Sequence, residues 1–264
     1  KTVIIVAASA PTLYYFCTVH SGMGGQANTP TTNSFTNLDG SIQSNISPAT
    51  TFSIVSYTGT GSNATVGHGL STVPKMIIVK KLNGADSWTI YHVSLGPTKK
   101  INFDTGAAGT QSDRWNDTSP TSSVFTVGTN NSVNASSGTY IAYCFPDVQG
   151  FSKMGSYLGN GNTNGTFAYT GFKPAFTLFK KASSGTGEWF LLDGIRDLFD
   201  PVKKVFEANT TSAESTDPDL DYLSNGFKVR TTNGNLNSNG VTYIYMAFAE
   251  NPFVSAAGIP VTAR

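Results

Sequence analysis

Pro74-Lys75-Met76-Ile77-Ile78-Val79-Lys80-Lys81 and Pro174-Ala175-Phe176-Thr177-Leu178-Phe179-Lys180-Lys181 are the same element written twice. Each is a short apolar run that opens on proline and closes on a lysine pair. Proline is tolerated at the first residue of a strand, where no ladder N–H is needed. The lysines return the chain to water. A strand read twice in this way decides the fold, and the rest of the chain falls into register around it.

Working outward, Phe52-Ser53 with Tyr57 to Gly61 matches Phe151-Ser152 with Tyr157 to Gly161. Trp88-Thr89-Ile90 matches Trp189-Phe190-Leu191, and Ser123 to Val127 matches Asn225 to Val229. Asn134 with Thr139-Tyr140-Ile141 matches Asn237 with Thr242-Tyr243-Ile244. Five anchors in one order mark an internal repeat, the signature of a tandem architecture. β-branched and aromatic residues dominate the runs, and Gly, Asn and Ser clusters punctuate them, as strands and turns require. Helical periodicity is nearly absent. Its best stretch, Asp197 to Ala208, is held by Pro201 to a short piece. The reading is an all-β chain of two tandem β-sandwich repeat domains, preceded by a partial cupredoxin-like hairpin.

The expected boundaries are residues 1–29 for the hairpin of a truncated cupredoxin-like domain and 30–50 for a linker or extended arm. Repeat one is 51–149, repeat two is 150–253, and 254–264 is a C-terminal tail. The Thr, Asn, Ser and Pro content of 30–50 underlies the linker reading. Lys1 to Ala10 has the look of a secretory signal, but Pro11 and Leu13-Tyr14-Tyr15-Phe16 follow at once as folded structure, so a longer parent chain is expected.

Only 12% of the residues are charged, and the formal net charge is +1. That is about half the usual charged share of a soluble domain. No basic footprint marks a nucleic-acid partner. No apolar stretch reaches the roughly 18 residues of a membrane span. Near-zero charge promotes association, so the chain is expected to live in an assembly. Cys17 and Cys144 fall in different segments, which argues against a disulfide framework. Cys144 reads as a small buried hydrophobe.

Cys17-Thr18-Val19-His20-Ser21-Gly22-Met23 offers thiolate, imidazole and thioether within one loop. Cys17, His20 and Met23 supply three of the four ligand types of a blue-copper site. The spacing resembles the C-terminal ligand loop of the cupredoxins. That family takes a further histidine from well upstream, and no residue before Cys17 can serve. No cofactor is therefore expected in this chain, with copper in a full-length parent as the alternative.

Trp88 and Trp189 occupy equivalent strand positions and are expected in the core. Trp115, within Asp113-Arg114-Trp115-Asn116-Asp117, has no counterpart in repeat two. Trp115, Asn116 and Asp117 are therefore one candidate contact loop. Asp219, Asp221 and Tyr222 form the second, in the other stretch where the copies differ most. The carboxylates of these loops lack the facing pair that glycoside hydrolysis needs. His68, in Gly67-His68-Gly69-Leu70, reads as a turn residue. No nucleophile elbow, zinc-protease signature or phosphate loop is present, and no catalytic residue is assigned.

Tyr14 to Asn28, Gly67 to Leu70 with Pro74 to Lys80, and Gly150-Phe151-Ser152-Lys153 together resemble virion proteins of marine tailed bacteriophages, of tail-fibre, appendage or structural type. The resemblance implies a non-enzymatic protein on the extracellular virion surface, most simply a tail-fibre component for host attachment. It also implies other virion proteins and copies of itself as partners, as a homotrimer or larger assembly. A host surface glycan or receptor would be the target. A capsid decoration or filament subunit, and a carbohydrate-binding adhesin domain, are the alternatives.

Overall fold

The computed structural model describes residues 13–16, 24–27, 35–47, 51–197 and 199–252. The fold is all-β. A short antiparallel hairpin comes first, β1 (Leu13–Phe16) with β2 (Gly24–Ala27). Repeat one then runs through β3 (Phe35–Asn37), β4 (Ser44–Ser47), β5 (Ser53–Thr58), β6 (Ala64–Gly67) and β7 (Pro74–Lys81). It continues through β8 (Thr89–His92), β9 (Lys99–Asn102), β10 (Gly109–Thr110), β11 (Val124–Val127) and β12 (Thr139–Pro146). Repeat two comprises β13 (Ser152–Leu158), β14 (Phe167–Tyr169), β15 (Pro174–Lys181), β16 (Trp189–Asp193) and β17 (Val205–Glu207). It closes with β18 (Leu220–Leu223), β19 (Gly226–Val229) and β20 (Thr242–Ala249).

The duplication is complete in the topology. The large sheet of repeat one contains the order β5-β12-β7-β8-β9, and that of repeat two is β13-β20-β15-β16-β17. Every pair is antiparallel. Each large sheet faces a small one, β11-β6 in the first copy and β14-β19-β18 in the second. Tyr57, Val79, Tyr140 and Ala142 meet Val66, Phe125 and Val127 in the first core. Tyr157, Phe179, Tyr243 and Tyr245 meet Phe227 and Val229 in the second.

The outer faces of the two large sheets are not left to water. Met76, Ile90 and Ile101 of repeat one join Met154, Leu178, Trp189, Ile244 and Met246 of repeat two in a third buried cluster. The order of layers is therefore small sheet, large sheet, large sheet, small sheet. This explains why the central strands are apolar on both faces. In β12, Tyr140, Ala142 and Cys144 point to the core, while Tyr143 and Phe145 lie on the face toward repeat two. Strands buried on two sides lose the clean apolar-polar alternation of a half-solvated sheet.

Each sandwich is locked at one end by the same polar device. Stacked tyrosines, Tyr57 on Tyr140 at 5.1 Å and Tyr157 on Tyr243 at 5.2 Å, sit under a one-turn helix. These helices are Asn131–Asn134 and Gly234–Asn237. Tyr57 donates to the Val133 carbonyl and Tyr157 to the Leu236 carbonyl. The fully buried Asn134 accepts from the Thr60 N–H at 2.8 Å and donates to the Ser62 and Gly128 carbonyls. Asn237 does the same with Asn160, Asn162 and Thr231. A buried amide with its oxygen and both N–H groups matched fixes one geometry. The sequence anchors Asn134 and Asn237 are these two residues.

Two sequence expectations give way. Residues 35–47 are no free linker: β3 and β4 extend the large sheet of repeat one beside β5, and Ile42 and Ile46 enter its core. Alternating Ile42, Ser44 and Ile46 on one face was strand patterning hidden in a polar composition. Among its described residues Asp197 to Ala208 forms no helix. Asp197 caps the Lys203 and Lys204 N–H groups, and β17 follows, paired with β16. Within 1–29 the described residues are the paired strands β1 and β2, while Cys17, His20 and Met23 lie outside the described residues, as does the 254–264 tail.

Candidate interaction surfaces

The first predicted contact loop is mostly core. Trp115 closes a one-turn helix, Ser112–Trp115. Its ring is 1% exposed and packs edge-on against Tyr91 at 5.8 Å. It offers no face to a ligand, which corrects the reading of Trp115 as a contact residue. Asn116 and Asp117 are exposed beside it, both in the left-handed region. Asn116 accepts from the Asn63 side chain at 2.8 Å.

The second predicted loop is also built inward. Tyr222 belongs to β18 and is buried, bonding the Leu192 carbonyl and the Thr177 hydroxyl. It too is corrected from contact residue to core. Asp221 lies 3.3 Å from Arg230 and Asp219 lies 3.7 Å from Lys203. Partial burial raises the Asp221 carboxyl above its ordinary range, against the pull of Arg230. Asp217 accepts from Asn233 at 2.6 Å. These carboxylates diverge to separate partners. Among the described residues no group of three or more His, Cys, Asp or Glu is placed to hold a metal.

The surface feature that sequence reading missed is the segment between β16 and β17, longer in repeat two than its counterpart between β8 and β9. Asp193 accepts the N–H groups of Ile195 and Arg196 and pairs with the Arg196 guanidinium. Arg196 also bonds Glu214 at 2.6 Å and lies 4.3 Å above the Phe206 ring. Burial alone would raise the Asp193 carboxyl; the Arg196 hydrogen bonds outweigh it and hold it below the usual range. This scaffold fixes a loop from which Ile195, 76% exposed, and Phe199, 84% exposed, project. Large apolar side chains held out on an ordered loop mark a contact surface more than a folding need. The only sequence signal was the length difference between the copies.

The duplicated tryptophans separate. Trp189 is 1% exposed, whereas Trp88 is 40% exposed, so only one of the two is core. Both carry the same lysine, Lys180 at 5.9 Å and Lys80 at 6.0 Å from the ring centre. Trp189 stacks on Phe103 at 4.9 Å and donates its indole N–H to the Asn102 carbonyl. Lys180 bonds the Asp104 and Gly187 carbonyls. Burial lowers its ammonium to about 8, with Asp104 and Glu188 opposing. Trp88 stacks instead on Tyr143 of its own repeat.

The remaining buried reactive groups are occupied. His92 sits in the seam between repeats. Its Nδ1 accepts from the Ser94 N–H, so Nε2–H donates to the Tyr245 carbonyl at 3.2 Å. Burial lowers it to about 4. His68 is buried at the end of β6, between the Thr121 carbonyl and the Leu70 N–H. Burial pushes the Cys144 thiol up, far from a reactive thiolate.

A family model described as a domain of unknown function, DUF7483, matches residues 27–252. No curated protein and no solved structure matches the chain.

Proposed function

The chain belongs to the DUF7483 family, whose unit spans both repeats, and we propose that this unit is a non-enzymatic component of a virion surface appendage, used in host attachment. The observation that carries the reading is the projection of Ile195 and Phe199 from an ion-paired loop on a body of four packed sheets. An attachment protein needs a stiff carrier and a small protruding contact, because a pre-ordered contact loses little entropy on binding. The sequence resemblance to phage virion proteins supplies the biological setting. The carbohydrate-binding alternative loses its first carrier, since the Trp115 ring is enclosed.

Immunogold electron microscopy of whole particles, with an antibody to residues 51–253, tests the location. Gold on tail fibres or the tail tip is the expected result. Gold spread over the capsid shell would replace attachment with decoration, and labelling of cell filaments without particles would remove the virion setting. Competition of infection by the isolated chain, abolished by Ile195→Ser with Phe199→Ser, tests the contact loop.

A further inference from the structure

In repeat one, β3 and β4 close a groove beside β5. Ser44 donates to the Gly67 carbonyl at 2.8 Å, and Ile46 enters the core. Asn37 lies on Gly67 and Ile46 on Gly69, so close that neither glycine has room for a Cβ. Repeat two has the groove without this cover: among the described residues no strand pairs with the outer edge of β13. Tyr169 takes the register position of Gly67. Gly67 pairs with Val124 and Tyr169 with Gly226, the matching residues of β11 and β19. A glycine beneath a covering strand is thus exchanged for an aromatic ring where the strand is missing.

The ring does not fold down to replace the cover. Tyr169 is 65% exposed, and its ring runs beside Gly171, 3.6 Å from where a Cβ would stand. It lines a cavity of about 450 Å³ together with the turn from Asp147 to Gly150 and the start of β13. That volume lies in the range of small-ligand sites, roughly 300–1,000 Å³. The turn is held in place by backbone bonds, Val148 N–H to Ser152 O at 3.1 Å and Ser152 N–H to Val148 O at 2.9 Å. Asp147 bonds Lys153 through one carboxylate oxygen at 2.6 Å and accepts the Met154 N–H on the other at 2.8 Å. Met154 stands at the register position of Ile54, which pairs with Ser47 of β4. Asp147 therefore takes an edge donor that a further strand would use, which opposes strand addition and leaves the groove to a compact ligand.

We propose that this cavity binds a neutral saccharide, with one pyranose stacked on Tyr169 and its hydroxyls bonded by Asp147, Lys153 and Gln149. The lining selects the class. Its one carboxylate and one ammonium neutralise each other, which disfavours an ion of either sign. With the exposed Gln149 amide they offer both donors and acceptors, as hydroxyl groups require. The ionised pair makes those bonds stronger than neutral ones. A pyranose also carries an apolar C–H face, and an exposed tyrosine ring removes that face from water. The inference does not depend on the virion reading, and the site shares no residue with the Ile195 and Phe199 loop.

A printed array of neutral and acidic oligosaccharides tests it, probed with the full chain coupled in many copies to fluorescent beads, so that a weak site registers through avidity. Binding to neutral hexose oligomers is expected. The best-bound oligosaccharide is then titrated in solution. Tyr169→Ala is expected to weaken binding by at least about tenfold, Tyr169→Phe to bind like wild type, and Gln149→Ala to weaken it less. Ile195→Ser with Phe199→Ser is expected to leave binding intact, which separates this site from the attachment loop. If Tyr169→Ala fails to fold, NMR shift changes in the wild type on adding the same oligosaccharide decide the site, and they are expected at residues 147–153 and 169–171. No oligosaccharide bound, a preference for acidic ones, a Tyr169→Ala variant that binds like wild type, or shift changes confined elsewhere would each overturn the proposal.

Discussion

Replacing Asn237 by alanine removes a buried amide whose three polar groups are all matched. The Asn160 N–H, at 2.9 Å, and the Asn162 and Thr231 carbonyls, at 2.8 Å each, lose their partner. A buried group left unsatisfied costs about 1–3 kcal/mol. Asn160 and Asn162 border solvent, so water recovers part of the loss, and the low end applies to each. The expected total is about 3 kcal/mol, which for a domain of this size corresponds to a fall in Tm of roughly 6–12 °C. Asn237→Asp sharpens the test. It keeps the acceptor for Asn160 and turns the donor into an oxygen facing two carbonyls, so it should cost at least as much despite equal volume. Urea unfolding followed by fluorescence would measure both, with the slope unchanged and the midpoint lowered. A loss under about 1 kcal/mol for either variant would mean that the amide does not hold the end of the sandwich, and the reasoning would fail.

Other expectations follow from the same geometry. Tyr140→Phe removes a hydroxyl that donates to the Asn131 carbonyl and accepts from the Ala135 N–H, both at 2.6 Å; a loss of about 1–3 kcal/mol is expected in the same assay. Gly159→Ala would set a methyl 2.3 Å from the Ser238 carbonyl oxygen, and the backbone shift should lower stability by about 1–3 kcal/mol. Trp189→Ala should cost about 3–5 kcal/mol, while Trp88→Ala should cost far less. Comparing their unfolding midpoints checks the asymmetry. His92, held neutral in the fold at about 4 against 6.5 when unfolded, favours folding fully above pH 6.5. That stability, up to about 3 kcal/mol, drains away as pH falls toward 4. A pH series in urea should show this slope flattened in His92→Gln; an unchanged slope would refute it.

The sequence showed the duplication because its anchors are the residues geometry cannot spare. Asn134 and Asn237, Tyr140 and Tyr243, and the Pro-led strands recur for the bonds and pairings now visible. Strand order was not legible, since antiparallel pairing between β12 and both β5 and β7 is a long-range fact. The seam was hidden for a related reason. Nothing local distinguishes Trp189, stacked on Phe103 of the other repeat, from Trp88, stacked on Tyr143 of its own. Trp115 misled because polar neighbours suggested a loop, while one helical turn rolls the ring into the core. The Ile195 and Phe199 loop was masked by a weak helical pattern that the Asp193 and Asp197 caps override.

The central claim is that the two repeats are one body joined through the seam around Trp189. Amide hydrogen exchange by mass spectrometry, on the full chain and its Trp189→Ala variant, tests it most directly. Loss of the indole should lower protection in β15, β16 and β20, and equally in β8 and β9 of the other repeat, because global opening is shared. Protection lost in repeat two alone, with β8 and β9 unchanged, would show two independent sandwiches and contradict the account.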